Sequence, residues 1–155
     1  MLINTYKISR LIKKSIVFWF AVFALGFFVG RAFAAEINID TIIQLESSGN
    51  PNAYNSKDGD SGLMQITPIL LAEWNIFHKT KVTQKDLFNA DLNRRIGTWY
   101  LTKRIPQMLR AFKKPVTIEN ILICYNAGIA YVAKNRKLPE VTKRYIEKYK
   151  KMQKG

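Results

Sequence analysis

Apolar residues recur every three or four positions along most of the chain after residue 35, and this period predicts a series of amphipathic helices. The first predicted helix covers residues 38–46, and one of its faces is formed by three isoleucines, Ile39, Ile42 and Ile43. Asp40 is its expected N-cap, and Gly49 followed by Pro51 is a stop signal. The folded part of the chain is therefore expected to open with a helix whose last turn contains Glu46.

A polar segment separates this helix from the next one. Residues 50–61 are rich in Asn, Ser, Gly and Asp, which predicts a loop, and residues 62–66 are expected to form a short extended piece. The second helix opens with Thr67 as N-cap and Pro68 at the first helical position, and a connection is expected at 76–83.

Three more helices are predicted in the second half of the chain. A long one starts near Asp91 and is interrupted at Pro106. Thr117 caps the next, which ends at Gly128. Pro139 opens the last, whose apolar stripe is expected to be Val141, Tyr145, Tyr149 and Met152. The pattern therefore predicts a mainly α domain with minimal β-structure.

Glu46 shares a helix face with Ile42 and Ile43 rather than with the polar residues. Burial beside isoleucines and the negative end of the helix dipole both disfavour an ionised carboxylate, so a raised pKa is expected. A carboxylic acid that stays protonated near neutral pH is suited to general acid catalysis. From this segment alone, a solvated glutamate at a frayed helix end is the alternative.

The composition is that of a folded domain, because 48% of the residues are hydrophobic and 12% are aromatic. The net charge of +14 suggests an anionic partner, such as nucleic acid, an anionic membrane surface or the bacterial cell wall. The single cysteine, Cys124, excludes an intramolecular disulfide framework. His78 is the only histidine and is expected on a loop, so no metal site and no cofactor are predicted.

Residues 1–34 have the pattern of a secretory signal peptide. Basic residues come first, an apolar run follows at 15–30, and Ala32-Phe33-Ala34 then predicts cleavage before Ala35. An uncleaved membrane anchor is the alternative. Either segment would place residues 35–155 in the periplasm. Without the leader, which has five basic and no acidic residues, 20 basic and 11 acidic residues remain, a net charge of +9.

Four short motifs stand in a characteristic order along residues 35–155. They are Glu46-Ser-Ser-Gly-Asn-Pro-Asn-Ala53, Gly62-Leu-Met-Gln-Ile66, Tyr125-Asn-Ala-Gly128 and Leu138-Pro-Glu-Val-Thr-Lys-Arg-Tyr145. In these motifs and their spacing the chain resembles the soluble lytic transglycosylase family, a branch of the lysozyme-like superfamily. The similarity covers nearly all of residues 36–149. In its small size and export signal, the chain is also similar to the specialised transglycosylases of type III and type IV secretion or conjugation systems.

This resemblance implies lytic cleavage of peptidoglycan between N-acetylmuramic acid and N-acetylglucosamine. Glu46 would protonate the leaving glycosidic oxygen and then deprotonate the 6-hydroxyl of the muramic acid, which closes a 1,6-anhydro ring. The nearest candidates for a second carboxylate, Asp58 and Asp60, are interpreted as turn residues that bond to their own backbone. The expected partners are the glycan strands of peptidoglycan and components of a secretion or conjugation apparatus.

We assign six further residues to the substrate-binding cleft, and these are Ser47, Met64, Gln65, Tyr125, Asn126 and Tyr145. The resemblance implies that both tyrosine hydroxyls lie near the acid. For Met64, Gln65 and Tyr125 the residue pattern alone leaves a place in the core open. Ser47 is interpreted as a hydrogen-bonding residue near the helix end rather than as a nucleophile. Cys124 stands where the family usually has alanine and is interpreted as a small buried hydrophobe.

Parts of the sequence are also compatible with functions other than lytic transglycosylase activity. A hydrolytic lysozyme on the same fold and a non-catalytic peptidoglycan-binding subunit both remain open. A nucleic-acid binder is suggested by charge alone, and the export signal and the lack of a recognised binding motif argue against it. The basic side of the last helix either binds peptide-stem carboxylates or anionic lipid, or is a solvated helix end.

Overall fold

The computed structural model describes residues 36–154. Its elements in chain order are α1 (Ile39–Ser47), β1 (Tyr54–Asn55), β2 (Asp60–Ser61), α2 (Pro68–His78), a 3₁₀ turn (Lys85–Phe88), α3 (Ala90–Trp99), a π-helical segment (Tyr100–Arg104), α4 (Ile105–Ala111), α5 (Ile118–Ala127), α6 (Ile129–Ala133) and α7 (Glu140–Met152). The domain is mainly helical with a small two-stranded sheet, which confirms the predicted fold class. The predicted leader, residues 1–34, lies outside the described residues. Over the range that is described, none of the helices has the length and apolarity to cross a membrane.

Helix starts are set by side chains that accept hydrogen bonds from backbone amides. Thr67 and Thr117 cap α2 and α5 in this way, and Gly128 ends α5, as predicted. The prediction for α1 was wrong, because Asn38 is its N-cap. Asp40 lies in the first turn instead, where the positive end of the helix dipole favours its charge.

The two strands lie within the segment that was predicted to be a loop, and they pair antiparallel over two residues each. The predicted extended piece at 62–66 is a tight turn, closed by a bridge between Ser61 and Ile66. The turn requires a positive φ of 77° at Gly62 and 46° at Gln65. A strand cannot accommodate these backbone angles, so the extended conformation is excluded there.

Two predicted helix boundaries differ from the structure. Helix α2 continues to His78, so the histidine is helical rather than in a loop, and its ring stacks on Trp74 with 3.6 Å between ring centroids. The long helix is interrupted by the π-helical segment, which precedes Pro106. Proline fits there because it occupies the start of α4, where its missing N–H leaves no bond unmade.

The buried face of α7 is shifted from the predicted stripe. Tyr145 and Tyr149 are buried as expected, but Val141 and Met152 are exposed. Their places in the core are taken by Thr142 and Ile146. The face therefore centres on the two tyrosines and contains a threonine, which the apolar pattern alone does not reveal.

Asn93 connects the sheet region to the helical core. It is fully buried on α3, where its amide nitrogen donates to the carbonyls of Ser61 and Leu87, each at 2.8 Å. Its side-chain oxygen accepts from the amide of Met64, also at 2.8 Å. Gly62 permits this approach, because a Cβ there would overlap the Asn93 side chain and the Leu87 carbonyl. The hairpin and the turn after it are therefore fixed to α3.

Candidate active site

Glu46 lies in the last turn of α1 and faces a cleft of about 320 Å³. Cavities of this size are typical of small-ligand sites. The cleft is lined by residues from the hairpin region, the start of α2, the π-helical segment and the end of α5, and these are Glu46, Asp60, Gln65, Thr67, Ile69, Leu70, Tyr100, Cys124, Tyr125, Asn126 and Gly128. Segments distant in sequence thus converge on one carboxylate.

Burial raises the pKa of Glu46 from 4.5 to about 7. The Tyr145 hydroxyl donates to its Oε1 at 2.6 Å, which favours the charged form and lowers the pKa, whereas the charge of Asp60 raises it. The raised pKa agrees with the expectation from the helix face. Near neutral pH both protonation states of Glu46 are accessible, so this carboxyl group is able to donate a proton and later accept one.

Tyr145 and Tyr125 flank Glu46 from α7 and α5. Tyr145 is 8% exposed and bonds the carboxylate directly, whereas the Tyr125 hydroxyl donates to the Met64 carbonyl at 2.7 Å. Burial and the charge of Glu46 raise the pKa of both tyrosines well above the usual value. Both hydroxyls therefore stay protonated. Tyr145 orients the acid, and Tyr125 holds the turn that carries Gln65.

Two predicted binding residues present amide groups to the cleft. The Gln65 side-chain nitrogen donates to the carbonyls of Ala53 and Gly62, at 3.2 and 2.9 Å, so its carbonyl oxygen is oriented by two backbone contacts. Asn126 lies at the end of α5, and its side-chain oxygen accepts from Thr142 Oγ1 at 2.8 Å. That contact leaves the amide N–H₂ of Asn126 as a donor for a ligand.

Three of the predicted binding residues, Ser47, Met64 and Tyr145, are not among the residues that line the cleft, and of these three only Tyr145 forms a hydrogen bond with Glu46. The Met64 side chain is fully buried and packs where Gly97 has no side chain, since a Cβ at Gly97 would overlap the Met64 sulfur. The Ser47 hydroxyl donates to the carbonyl of Leu63 at 2.7 Å and to that of Ile43 at 3.3 Å. The side chains of Met64 and Ser47 therefore support the site from the core side, and their assignment to substrate contact stays a prediction.

Asp60, interpreted from sequence as a turn residue, lines the cleft together with Glu46. One of its carboxylate oxygens accepts from Asn55 at 3.3 Å, and the other is buried without a partner among residues 36–154. Burial raises the pKa of Asp60, and the neighbouring charge of Asp58 raises it further. Asp58 lies in the hairpin turn, as expected, but its carboxylate accepts a hydrogen bond from the Asn55 side chain at 3.1 Å and not from its own backbone.

Tyr100 and Cys124 also line the cleft, and neither was assigned to it from sequence. The π-helical segment starts at Tyr100, and such segments change the direction of the side chains they contain. Burial and the charge of Glu73 raise the pKa of Tyr100 to about 12. Cys124 is 2% exposed, and burial raises its pKa to about 12, so it is the small buried hydrophobe that was expected.

Within residues 36–154, no three histidine, cysteine or carboxylate side chains lie close enough together to hold a metal ion.

A mainly helical domain with a half-buried glutamate facing a cleft defines a candidate glycan-cleaving enzyme of the lysozyme-like class. The family described as Transglycosylase SLT domain matches residues 35–148, so the chain belongs to this family. Its members are peptidoglycan lytic transglycosylases, which confirms the enzyme class and the substrate that the motifs predicted. Peptidoglycan lies outside the cytoplasm, so the protein acts in the periplasm or beyond it. Searches of curated proteins and of solved structures found no significant match.

Proposed function

We propose that this protein cleaves the β-1,4 bond between N-acetylmuramic acid and N-acetylglucosamine and that Glu46 is both its acid and its base. The observation that supports this most is the environment of Glu46. Burial brings its pKa to about 7 beside a cleft, and the Tyr145 hydroxyl holds the same carboxylate at 2.6 Å. A carboxyl group with this pKa changes protonation state with little free-energy cost at neutral pH.

In the first step protonated Glu46 gives its proton to the glycosidic oxygen as the bond from that oxygen to C1 of muramic acid breaks. In the second step the Glu46 carboxylate removes the proton of the muramic 6-hydroxyl while that oxygen bonds to C1. The products are an N-acetylglucosamine end and a 1,6-anhydromuramic acid end. No water is consumed, and Glu46 returns to its protonated state.

The surrounding residues support these two steps in different ways. The Tyr145 hydrogen bond stabilises the Glu46 carboxylate between the steps. Gln65 and Asn126 present amide groups at the cleft surface, where acetamido and hydroxyl groups of sugars need partners. Tyr100 adds an aromatic surface to the cleft lining, and sugar rings pack well on such surfaces.

Replacing Glu46 by Gln tests the proposal, because the shape is kept and the proton is removed. We expect the release of soluble fragments from purified peptidoglycan to fall by about a hundredfold or more. Glu119→Gln is the matched control, since Glu119 is exposed and pairs with Lys150 away from the cleft, and it should retain full activity. Lytic activity that survives Glu46→Gln would overturn the role of Glu46.

A hydrolytic muramidase on the same scaffold is the second candidate, and Asp60 is the observation that favours it. Retaining glycosidases use two carboxyl groups, and Glu46 and Asp60 line one cleft with their charges coupled. In that case water would take the place of the 6-hydroxyl. Mass spectrometry of the fragments separates the two, because an anhydro end lacks one water relative to a reducing end. Reducing ends throughout would contradict the transglycosylase proposal.

We also propose that the enzyme is exported and opens the cell wall locally for a secretion or conjugation apparatus. The leader pattern of residues 1–34 supports export, and the resemblance to the specialised transglycosylases of secretion and conjugation systems supports the role. In a strain that carries Glu46→Gln at the chromosomal locus, we expect less secreted or transferred cargo while the other components remain present. Unchanged export by that strain would argue against the role.

A further inference from the structure

Basic residues are distributed unevenly over the described domain. Residues 36–109 contain eight basic and eight acidic residues, whereas residues 110–154 contain twelve basic and three acidic ones. The entire net charge of +9 therefore belongs to the segment from the end of α4 to the end of α7. A charge of this size on one part of a small domain creates a strong local field.

The last turn of α4 and the two turns that follow α4 and α6 bring six of these cations together, and we call this group the basic cluster. Helices α4 and α6 pack against each other. Lys114 Nζ donates to the side-chain oxygen of Asn135 at 2.8 Å, which joins the turns directly. The cluster consists of Arg110, Lys113, Lys114, Lys134, Arg136 and Lys137, and all but the half-buried Lys114 are exposed.

The fold does not neutralise this cluster. Among residues 36–154 no carboxylate forms a salt bridge with any of its six members. Each helix C-terminus carries a partial charge of about −0.5, so the ends of α4 and α6 together offset about one positive charge of the six. On α7, by contrast, Lys143 pairs with Glu140 and Lys150 pairs with Glu119. The basic cluster is the surface with the larger unbalanced charge.

Helix α6 connects the basic cluster to the cleft. Gly128 lines the cleft immediately before α6, and Lys134 follows the last residue of that helix. At 1.5 Å per residue, the rise between these positions is about 9 Å. A ligand that occupies the cleft and carries a side branch of this length would reach the cluster. The peptide stems of peptidoglycan are such branches, and they contain free carboxylates.

We infer that the basic cluster is a subsite for the carboxylates of the peptide stems borne by the glycan strand in the cleft. This inference rests on the proposed function, since it assigns a second contact to the same substrate. The stem would add exposed ion pairs to the sugar contacts, so binding should weaken as salt screens them. The enzyme should accordingly prefer glycan that still has its stems.

The test compares two binding partners, intact peptidoglycan and the same glycan stripped of its stems by an amidase. Binding is measured by co-sedimentation of the full chain with Glu46→Gln, so that the strands are not cut. In that background Lys134, Arg136 and Lys137 are changed to Glu. The matched control changes Lys81, Lys103 and Lys148 to Glu, which alters the net charge equally at exposed positions outside the cluster.

At low salt we expect the cluster variant to bind intact peptidoglycan about tenfold more weakly, as the loss of a few exposed ion pairs implies. The control variant should bind like its parent, and stripped glycan should bind parent and cluster variant equally. A thermal melt of each variant checks folding, and a Lys134, Arg136 and Lys137→Gln variant replaces the Glu set if that set does not fold.

Two outcomes would overturn the inference. One is equal binding of intact and stripped glycan by the parent. The other is a cluster variant that loses binding only to vesicles containing phosphatidylglycerol, which would identify an anionic membrane as the partner. Cleavage of stripped strands by the unmodified enzyme is measured in parallel, so a failure of the subsite and a failure of the proposed catalysis are told apart.

Discussion

Two interactions act in opposite directions on Glu46. Burial at the end of α1 favours its neutral form, and the hydrogen bond from Tyr145 favours its charged form. The first effect is larger, so the pKa rises to about 7 rather than falling. In the proposed mechanism Glu46 acts first as an acid and then as a base, and this balance suits both roles because neither form is strongly disfavoured at neutral pH.

Replacing Tyr145 by Phe should change the pH dependence of the reaction in a defined direction. The acid must be protonated, so the activity of the unmodified enzyme should fall as the pH rises through about 7. Without the Tyr145 hydrogen bond the pKa of Glu46 rises, and the alkaline limb of the rate profile should move to higher pH. The maximal rate should also fall by about tenfold, since one hydrogen bond to the carboxylate is lost.

The measurement is the initial rate of clearing of a cell-wall suspension on both sides of neutrality. Tyr54→Phe is the control, because Tyr54 is 55% exposed and does not line the cleft. A limb that stays in place or moves to lower pH in Tyr145→Phe would show that the hydroxyl does not stabilise the ionised acid.

The raised pKa of Glu46 also predicts a pH-dependent stability. The folded state retains this proton up to about pH 7, whereas the unfolded chain loses it near pH 4.5. The contribution of Glu46 to the free energy of unfolding is thus fully present below pH 4.5 and is lost as the pH rises towards 7. Glutamine does not titrate, so above pH 7 the Glu46→Gln protein should be more stable than its parent by about 3 kcal/mol.

Urea unfolding of parent and Glu46→Gln, in acid and in mildly alkaline buffer, measures this difference. The difference in the free energy of unfolding between the two proteins should be small in acid and should increase as the buffer becomes alkaline. If this difference is the same in both buffers, Glu46 has an ordinary pKa in the folded protein. Glu119→Gln provides the comparison, because that carboxylate is exposed.

At the scale of the elements, the site depends on how the hairpin is attached to α3. Asp60 and Gln65 reach the cleft from the hairpin and its following turn, and Asn93 makes two buried hydrogen bonds to that region and a third to the Leu87 carbonyl. The strands themselves pair over only two residues each, so they add little stability of their own. Asn93 therefore acts as the main polar connection between the sheet and the helices.

Asn93→Ala should consequently destabilise the protein by about 3 kcal/mol, because one buried amide and two buried carbonyls lose their partner. Activity at a temperature where the variant is folded should fall as well, since Asp60 and Gln65 lose their support. Chemical denaturation and the clearing assay measure the two effects. Asn120→Ala is the control, because its side chain donates a single exposed bond to Pro115 and should cost about 1 kcal/mol or less. If Asn93→Ala lowers the free energy of unfolding no more than Asn120→Ala does, this role of Asn93 is contradicted.

The predictable elements are those whose signals are local. The caps at Thr67 and Thr117 and the stop at Gly128 depend on a few neighbouring residues, so they could be identified from sequence. The two strands could not be identified from sequence. Each has only two residues, which is too short to show an alternation of apolar and polar side chains. The cap of α1 was misassigned because Asn38 and Asp40 are both good caps, and only the path of the preceding chain decides between them.

Only part of the site could be predicted, because only some of its features depend on residues that are neighbours in the sequence. The raised pKa of Glu46 could be inferred from its own helix face. The positions of Met64 and Asp60 depended on contacts with distant segments, such as the space left by Gly97. Tyr100 reaches the cleft through a π-helical segment, and a 3.6-residue period gives no indication of one.

At the scale of the whole molecule, the excess of basic residues lies after residue 110, in the part of the chain that also supplies the α5 end of the cleft and Tyr145. The pKa of Glu46 is nevertheless set by burial, by the Tyr145 hydroxyl and by the charge of Asp60 rather than by a basic side chain. Attraction of an anionic polymer and retention of a proton by Glu46 are therefore compatible within one domain.

The pattern of residues 1–34 predicts that the protein is processed during export. If Ala32-Phe33-Ala34 is a cleavage site, the protein isolated from the cell envelope should begin at Ala35 and lack five positive charges relative to the 17.9 kDa chain. Intact-mass measurement and N-terminal sequencing test this. Ala34→Arg should block cleavage, because a large charged residue does not fit a small-residue site, whereas Ala35→Ser should leave cleavage unchanged. Full-length mass for the unmodified protein would indicate an anchor, and the enzyme would then act on peptidoglycan only within reach of the membrane.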